Sequence, residues 1–251
     1  MPNVQDIISI AKEAGFIIIS HYYKENISVK TKPDSSPVTE ADLESNDFIC
    51  KKLTRLYPEI PIISEEQDNL GIETDFFWSI DPLDGTRAFL QRNGEFTVNI
   101  ALIRNKTTIL GIVYSPLTKE LYFVDQNKKP YKERSDGSVI PIQSRSMPNE
   151  RAIILISSSS GENKKLHEYI KKFKNPQIIP SSSAMKICKI AEGSADIYPR
   201  FGKTMEWDTA AGHAILNAAG GRICDLSGNE LTYGHSGREF TNPDFIAIGK
   251  H

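Results

Sequence analysis

The chain has 251 residues, of which 39% are hydrophobic and 25% are charged, and its formal net charge at pH 7 is −2. This length allows one large domain or two modest ones, and the composition is ordinary for a globular protein. A net charge so close to zero gives no general attraction to nucleic acid polymers or to anionic lipid, so an anionic substrate needs a local basic patch or metal ions.

The compartment is predicted from the cysteines and from the N-terminus. Cys50, Cys188 and Cys224 are far apart and form no CxxC pair, which favours free thiols in a reducing compartment. The first residues have no signal-peptide pattern, and the aliphatic run 17–19 is much too short to span a bilayer. We therefore predict a cytoplasmic protein, with peripheral attachment at the inner membrane face as the alternative; the oligomeric state is left open.

Residues 1–146 are predicted to form an N-terminal α+β domain. Apolar spacing predicts a helix over 4–23, and a second helix follows from 39 to 56. We expect two helices packed on an antiparallel sheet, in which the alternating segment 96–103 is a half-buried strand. The other predicted elements are a strand at 27–32, a loop at 32–37, and strands at 60–63, 76–80, 109–114, 120–124 and 139–142.

Residues 147–251 are predicted to form a C-terminal α/β domain, because strands and helices alternate there. The boundary is placed near Met147-Pro148, where the pattern changes. Strands are expected at 152–156, 178–179, 195–198, 222–225 and 245–248, and helices at 164–173, 183–192 and 208–219.

The stretch Trp78-Ser79-Ile80-Asp81-Pro82-Leu83-Asp84-Gly85-Thr86 carries the clearest chemical signal. We predict that the buried strand stops at Asp81-Pro82 and that Asp84-Gly85 turns the chain. The two carboxylates can then converge on a hard cation, while the amides of Gly85 to Arg87 face an anion. The alternative is a simple acidic turn whose aspartates cap the next helix.

Three further carboxylates have both a structural and a functional interpretation. Asp42 has the spacing of a capping box with Thr39, but it is also a candidate for holding a catalytic hydroxyl. Glu65, followed by Glu66, comes directly after a short strand and before the Asp81 turn. Asp208 lies where a helix rich in small residues begins, which on its own favours an N-cap.

Two of these segments resemble the signatures of the inositol monophosphatase superfamily: Asp-Pro-Leu-Asp-Gly-Thr after an apolar strand, and Trp-Asp-x-Ala-Ala-Gly. The segments 92–102, 198–202 and 207–214 resemble its bacterial 3′(2′),5′-bisphosphate nucleotidase branch. The resemblance covers nearly the whole chain. It implies a layered αβαβα sandwich, Mg²⁺ dependence, inhibition by lithium and a role in sulfur metabolism.

The resemblance also implies a metal site and a catalytic set. Glu65, Asp81 and the backbone carbonyl of Leu83 would hold one Mg²⁺, and Asp81, Asp84 and Asp208 would hold a second. The alternative is a site of three ions, with a third, weaker ion near Glu65 in addition to these two. A metal-bound water would be the nucleophile, oriented by Glu65 and Thr86, with Asp42 hydrogen-bonded to Thr86.

The implied reaction is hydrolysis of the 3′-phosphate of adenosine 3′,5′-bisphosphate to AMP, with the corresponding phosphosulfate as a second candidate substrate. The alternatives are an inositol monophosphatase and a non-catalytic nucleotide-binding regulator. The chain departs from this branch at Ser157 to Gly161, where the proteins of the branch usually have a basic residue and a histidine. This departure concerns the details of nucleotide contact. The expected substrate contacts are Glu65, Leu83, Asp84, Gly85, Thr86, Ser183, Lys186, Arg200 and Asp208.

Overall fold

Two β-sheets separated by a layer of helices form the interior of the protein. The computed structural model describes residues 1–32, 36–69, 74–158 and 163–250. The longer sheet, in the order β3-β4-β5-β6-β7-β8-β9, lies in the first part of the chain. Its strands are β3 (Ile62–Ser64), β4 (Phe76–Asp84), β5 (Thr97–Arg104), β6 (Thr107–Ser115), β7 (Glu120–Val124), β8 (Pro130–Glu133) and β9 (Val139–Pro141).

The second sheet has the order β11-β10-β12-β14-β13 and is mixed. The strands β10 (Ile153–Ser157), β11 (Gln177–Ser181) and β12 (Ile197–Arg200) are parallel, whereas β13 (Arg222–Asp225) and β14 (Phe245–Ile248) are antiparallel to their neighbours. A separate two-stranded ribbon joins β1 (Val29–Thr31) to β2 (Pro37–Thr39).

The helices complete the layers. They are α1 (Val4–Tyr22), α2 (Glu40–Leu56), α3 (Thr86–Leu90), α4 (Lys164–Ile170), α5 (Met185–Ala191) and α6 (Glu206–Ala218), with a single 3₁₀ turn at Ser236–Arg238. The helices α1 and α2 cover one face of the first sheet, α5 and α6 lie between the sheets, and α4 packs against the far side of the second sheet at β12. The predicted αβαβα sandwich is confirmed.

The sequence explains where the first helical layer forms. α1 begins after Asn3, whose side chain accepts the amide of Gln5 at 3.1 Å, and its apolar stripe is buried against the sheet. Ile7 and Ile18 are fully buried in that stripe, and each such side chain contributes about 1.5–3 kcal/mol through the hydrophobic effect. α2 follows the Thr39–Asp42 capping box that its spacing predicts.

The first sheet differs from the prediction in two respects. It is mixed, because β3 pairs with β4 in parallel while the other pairs are antiparallel. The strand predicted as half-buried, β5, is buried on both faces: Ile100 contacts the α1–α2 side, and Ala101 contacts the helices between the sheets. The α5–α6 layer, which comes from the second half of the chain, covers the face that the prediction left to solvent.

The small residues of α6 allow that layer to press closely on the first sheet. A Cβ at Gly111 of β6 would overlap the carbonyl oxygen of Ala211, so the helix backbone approaches the strand with no side chain between them. On its other side Gly212 faces Ile187 of α5, where an added Cβ would come within 3.0 Å. The position of α6, and of Asp208 near its start, is therefore set by direct backbone packing.

Most of the other predicted elements are present, with several corrections. β4 does not stop at Asp81-Pro82 but continues to Asp84, and β8 was not predicted. α6 begins at Glu206, so Asp208 is its third residue and not its N-cap. Pro37 belongs to β2 and not to the predicted loop, of which residues 33–35 lie outside the described residues. The prediction of free cysteines is confirmed for all three positions.

The predicted boundary near residue 147 falls between the two sheets. One hydrophobic cluster nevertheless crosses it, since Phe77 and Val113 of the first sheet pack in the same core as Ile215 and Phe245. The division into domains at 1–146 and 147–251 stays a prediction. Within the described ranges, no helix combines the length and the apolar character needed to cross a membrane.

Candidate active site

The turn at the end of β4 shapes the centre of the site. Pairing with β5 is interrupted between Asp81, which lies opposite Asn99, and Asp84, which lies opposite Thr97. This irregularity changes the direction in which the side chains of the two aspartates point, as a β-bulge does. Asp81 Oδ1 accepts the amide of Leu83 at 3.0 Å, and Gly85 then adopts a left-handed φ of +94° to start α3. The predicted turn at Asp84-Gly85 is present.

Three carboxylates from different elements meet at this turn. Single oxygens of Glu65, Asp81 and Asp208 all lie within 4.8 Å of one another. β3 and β4 are parallel neighbours, and the amide of Glu65 donates to the carbonyl oxygen of Ile80 at 3.1 Å, which places Glu65 beside Asp81. Asp208 is brought in by α6, where its Oδ2 accepts the amide of Met205 at 2.8 Å.

The electrostatics of this group favour either protonation or a bound cation. Burial raises the pKa of Asp81 well above its ordinary value, and the charges of Glu65, Asp84 and Asp208 raise it further. Burial likewise raises the pKa of Asp208, with Asp84 and Glu65 as the next causes. Within the described parts of the chain, neither Asp81 nor Asp208 forms an ion pair with a lysine or an arginine. Carboxylate oxygens clustered in this way are the ligands that Mg²⁺ prefers, so the residues present fit a divalent metal.

Asp84 lies at the same turn but is held differently. Its Oδ2 accepts the backbone amide of Ala184 at 2.5 Å and the side-chain amide of Asn99 at 3.1 Å. Burial raises its pKa, and the nearby charge of Lys186 opposes that rise. Asp84 is therefore fixed from both halves of the chain, and its role as a metal ligand stays a prediction.

Asp42 has both of the contacts that its two interpretations required. Its Oδ2 accepts the amide of Thr39 at 2.8 Å and the Thr39 hydroxyl at 2.5 Å, while its Oδ1 accepts the hydroxyl of Thr86 at 3.0 Å. Burial raises the pKa of Asp42, and the hydrogen bonds from Thr39 and Thr86 oppose that rise. The Asp42–Thr86 hydrogen bond predicted from the resemblance is present.

Lys32 forms an ion pair with Glu65 that was not predicted. Its Nζ lies 2.8 Å from Glu65 Oε1 and 2.5 Å from Glu66 Oε1. Burial alone would lower the pKa of Lys32, but the two glutamates raise it above its usual value, while burial raises the pKa of Glu66 to about 7. The lysine is distant in sequence and carries no motif, so nothing in the sequence pointed to it.

A cleft of about 400 Å³ opens above the carboxylates, and every predicted site residue except Asp42 lines it. Two further cations from this lining, Arg87 and Lys203, are exposed and were not predicted. Ser157 and Ser158 also line it, but residues 159–162 lie outside the described residues, so the predicted departure at 157–161 is described only in part. The lining residues that carry the argument are Glu65, Asp81, Leu83, Asp84, Gly85, Thr86, Ser183, Lys186, Arg200 and Asp208.

The predicted nucleotide contacts differ in their surroundings. Lys186 is buried, its Nζ donates to the carbonyl oxygen of Ser183 at 2.7 Å, and burial lowers its pKa to about 8 against the opposing charge of Asp84. Arg200 donates through Nη2 to the carbonyl oxygen of Lys203 at 2.9 Å, and its buried Nε has no hydrogen-bond partner among the described residues. Lys186 thus lies beside the carboxylates, whereas Arg200 lines the cleft with a buried Nε that no described residue satisfies.

His213, on α6, packs in the interior. It is 2% exposed, and its Nδ1 lies 2.8 Å from the hydroxyl of Tyr233.

The fold and site define a class, and comparison with known proteins identifies it. A family model described as the inositol monophosphatase family matches residues 3–246. The chain belongs to this family. It is 44% identical to the 3′(2′),5′-bisphosphate nucleotidase CysQ of Buchnera aphidicola, over 96% of this chain and 91% of the relative, and 39% identical to CysQ of Escherichia coli, over 96% and 98%.

A solved structure supports the same conclusion. The crystal structure of CysQ from Bacteroides thetaiotaomicron, a bacterial member of the inositol monophosphatase family, superposes with a TM-score of 0.82 at 35% identity and covers 98% of this chain and 97% of that one. These findings confirm the predicted resemblance, the fold and the prediction that the chain is an enzyme of the phosphatase class.

Proposed function

We propose that the protein is a Mg²⁺-dependent phosphomonoesterase that hydrolyses the 3′-phosphate of adenosine 3′,5′-bisphosphate to give AMP and phosphate. The observation that carries this proposal is the convergence of Glu65, Asp81 and Asp208 oxygens within 4.8 Å at the base of a cleft also lined by basic residues. The names of the curated relatives support the choice of substrate. The adenosine phosphosulfate that bears the same 3′-phosphate is the second candidate substrate.

The residues present fit a metal site of two ions. Glu65, Asp81 and the carbonyl oxygen of Leu83 would hold one, and Asp81, Asp84 and Asp208 would hold the other. The alternative is a site of three ions, in which the third lies near Glu65. When bound, such ions neutralise the phosphate charge and activate water at neutral pH. They would also remove the electrostatic penalty that raises the pKa values of Asp81 and Asp208.

Thr86 is placed to orient the attacking water. Because its hydroxyl donates a hydrogen bond to Asp42, the oxygen lone pairs remain available to accept a hydrogen bond from water. Glu65, held by Lys32, supplies a second acceptor at the cleft. Two fixed acceptors restrict the orientation of one water molecule, which is how proximity and alignment lower a barrier.

The second phosphate of the substrate needs cations away from the carboxylates. Arg200 lines the cleft, and Arg87 and Lys203 are exposed at it. Charge-assisted hydrogen bonds from such cations contribute roughly 1.5–3 kcal/mol each. These three basic side chains supply positive charge for the second phosphate of a bisphosphate.

The test is a phosphate-release panel, measured with Mg²⁺ and with a chelator. The substrates are adenosine 3′,5′-bisphosphate, the phosphosulfate, an inositol monophosphate and fructose bisphosphate, and Asp208→Asn is the inactive control. We expect the adenosine bisphosphate to have the highest kcat/KM, and release to stop with the chelator. A preference for inositol monophosphate would support the monophosphatase alternative instead. Nucleotide binding without any Mg²⁺-dependent release would support the regulator.

Inhibition by lithium, a role in sulfur metabolism and a cytoplasmic location belong to the same proposal. The first is tested in the same assay, by adding LiCl at constant ionic strength with NaCl as the matched salt.

A further inference from the structure

The segment that carries Ser183 and Lys186 has a disfavoured backbone conformation. Ser183 has a left-handed φ of +54°, which residues other than glycine adopt rarely. Its carbonyl oxygen accepts the Nζ of Lys186 at 2.7 Å, so this conformation also fixes the lysine. Conformations of this kind persist only where the surrounding structure holds them in place.

Two carboxylates from the first half of the chain hold this segment on either side of Ser183. The amide of Ser182 donates to Glu95 Oε2 at 2.8 Å, and the amide of Ala184 donates to Asp84 Oδ2 at 2.5 Å. The hydroxyl of Ser181 adds a longer contact of 3.4 Å to Glu95 Oε1. Hydrogen bonds to ionised acceptors are stronger than neutral ones, so the pair of carboxylates determines the path of the backbone through Ser183.

Glu95 is also tied to the turn at the end of β4. A Cβ at Gly85 would lie 2.8 Å from the backbone carbonyl oxygen of Glu95, so the two backbones are in close contact. The side chain of Glu95 does not line the cleft, whereas Ser182, Ser183 and Ala184 do. Glu95 therefore stands behind the nucleotide-contact segment and connects it to the Asp84-Gly85 turn.

We propose that Glu95 is a positioning residue for substrate recognition: it holds Ser181 and Ser182 so that Ser183 and Lys186 face the bisphosphate nucleotide in the correct geometry. This inference rests on the proposed function, because it takes the nucleotide as the ligand of that segment. Glu95 does not touch the substrate, and its effect passes through the backbone of residues 181–184.

The chain offers a matched control for this proposal. Glu192 also joins the two halves, through Tyr122 at 2.9 Å and Lys132 at 2.8 Å, but it lies outside the cleft. Glu192→Ala therefore removes a carboxylate that joins the same halves through a hydroxyl and an ammonium group, and Glu192 makes no contact with residues 181–184 in the hydrogen bonds described. Glu95→Gln keeps one carbonyl oxygen as an acceptor for the Ser182 amide and is the conservative variant.

The experiment compares Glu95→Ala, Glu95→Gln and Glu192→Ala as full-length proteins with Mg²⁺. We expect Glu95→Ala to raise KM for adenosine 3′,5′-bisphosphate by about tenfold, as the loss of one charge-assisted hydrogen bond would. KM for p-nitrophenyl phosphate should change less than about twofold, since a small monophosphate does not need the segment. Glu95→Gln should recover most of the loss, and Glu192→Ala should leave both KM values unchanged.

Amide hydrogen exchange over residues 181–186 provides a readout that does not depend on activity. Exchange there should be faster in Glu95→Ala than in Glu192→Ala. Unchanged exchange, or equal losses of kcat/KM on the two substrates, would overturn the inference. If the wild-type protein releases no phosphate from the bisphosphate while the exchange still responds to Glu95→Ala, the proposed function fails and the positioning contact stands.

Discussion

Asp42 links Thr39 to Thr86 through its two carboxylate oxygens, at 2.8 Å to the Thr39 amide and 3.0 Å to the Thr86 hydroxyl. The capping role and the functional role are therefore not alternatives. The Asp42 side chain accepts the backbone amide of Thr39, the last residue of β2, and so caps the start of α2. It also accepts the hydroxyl of Thr86, the first residue of α3. A helix cap is used here as a rigid support for a hydroxyl at the candidate active site.

We predict that Thr86→Ala lowers kcat more than it raises KM. The hydroxyl is proposed to orient the attacking water, which matters mainly in the transition state, and loss of one such hydrogen bond lowers kcat by roughly 10²-fold. Asp42→Asn should impair the same step, and the double variant should lose little more than the single ones. Steady-state kinetics at saturating Mg²⁺ measure all three.

Thr39→Ala separates the cap from the catalytic contact. It removes a hydroxyl from Asp42 Oδ2 but leaves Oδ1 on Thr86, so it should lower the melting temperature with nearly normal kcat. If the losses of kcat in Asp42→Asn and Thr86→Ala are additive in the double variant, Asp42 acts only as a helix cap.

Asp84→Asn should reduce kcat on the order of a hundredfold or more while the fold is retained. Removing one carboxylate from a metal clamp costs several kcal/mol of transition-state stabilisation. The asparagine still offers an oxygen to the amide of Ala184, so the backbone contact at 2.5 Å can persist. Circular dichroism and thermal melting check the fold, and near-normal turnover at saturating Mg²⁺ would contradict the assignment.

Lys186→Ala and Arg200→Ala should each lower kcat/KM for adenosine 3′,5′-bisphosphate by roughly one to two orders of magnitude, because each removes a cation from the lining of the cleft. Turnover of a small monophosphate should change little in either variant, because its one phosphate would lie on the metals. Equal losses on both substrates in Arg200→Ala would show that Arg200 supports the fold or the metal site.

The metal-free protein should lose stability as the pH rises from 5 to 7. Burial raises the pKa of Asp81, Asp208 and Glu66 in the folded state, so this state binds more protons than the unfolded chain in that range. Stability from such groups is present below the unfolded pKa and is lost as the pH rises through the folded one. For each proton that the folded state binds in excess of the unfolded state, the melting temperature should fall by about 3–6 °C for each unit by which the pH rises.

Mg²⁺ should reverse this trend, because it binds the ionised carboxylates and stabilises the folded state by mass action. Melting curves at pH 5.5 and 7 with chelator and with excess Mg²⁺ measure the effect. The groups with lowered pKa values outside the site, such as Asp136 and Asp225, titrate below this range and do not interfere. A metal-free protein that is equally stable at both pH values would contradict the prediction.

Local pattern was sufficient for much of the fold and for the turn that carries Asp81 and Asp84, whereas only the family resemblance implied that Glu65 and Asp208 join that turn. The Asp81–Thr86 stretch and the Asp208 segment have fixed spacings, so their turn and helix could be predicted from the residues alone. The burial of both faces of β5 could not, because the second face is covered by α6 from far along the chain. The start of α6 was predicted at 208, two residues too late, because residue type alone does not distinguish an N-cap aspartate from one that accepts the amide of Met205 within the first turn.

Two contacts that tune the site are long-range. Lys32 reaches Glu65 from another element, and Glu95 reaches the amide of Ser182 across the two halves. Neither contact follows a helical or strand period, so no local pattern could have indicated it. Lys186, predicted as a nucleotide contact, lines the cleft, but only the structure shows that its amine lies beside Asp84.

The direct contact between Gly111 and Ala211 has a consequence for how the enzyme is made. During synthesis, Glu65, Asp81 and Asp84 emerge long before the helix that rests on Gly111 and carries Asp208. A nascent first half thus exposes the face of its sheet where α6 will pack, and holds an incomplete set of mutually repelling carboxylates. The third carboxylate of the cluster and the last part of the core therefore arrive together, and the cleft is complete only after the C-terminal half has left the ribosome.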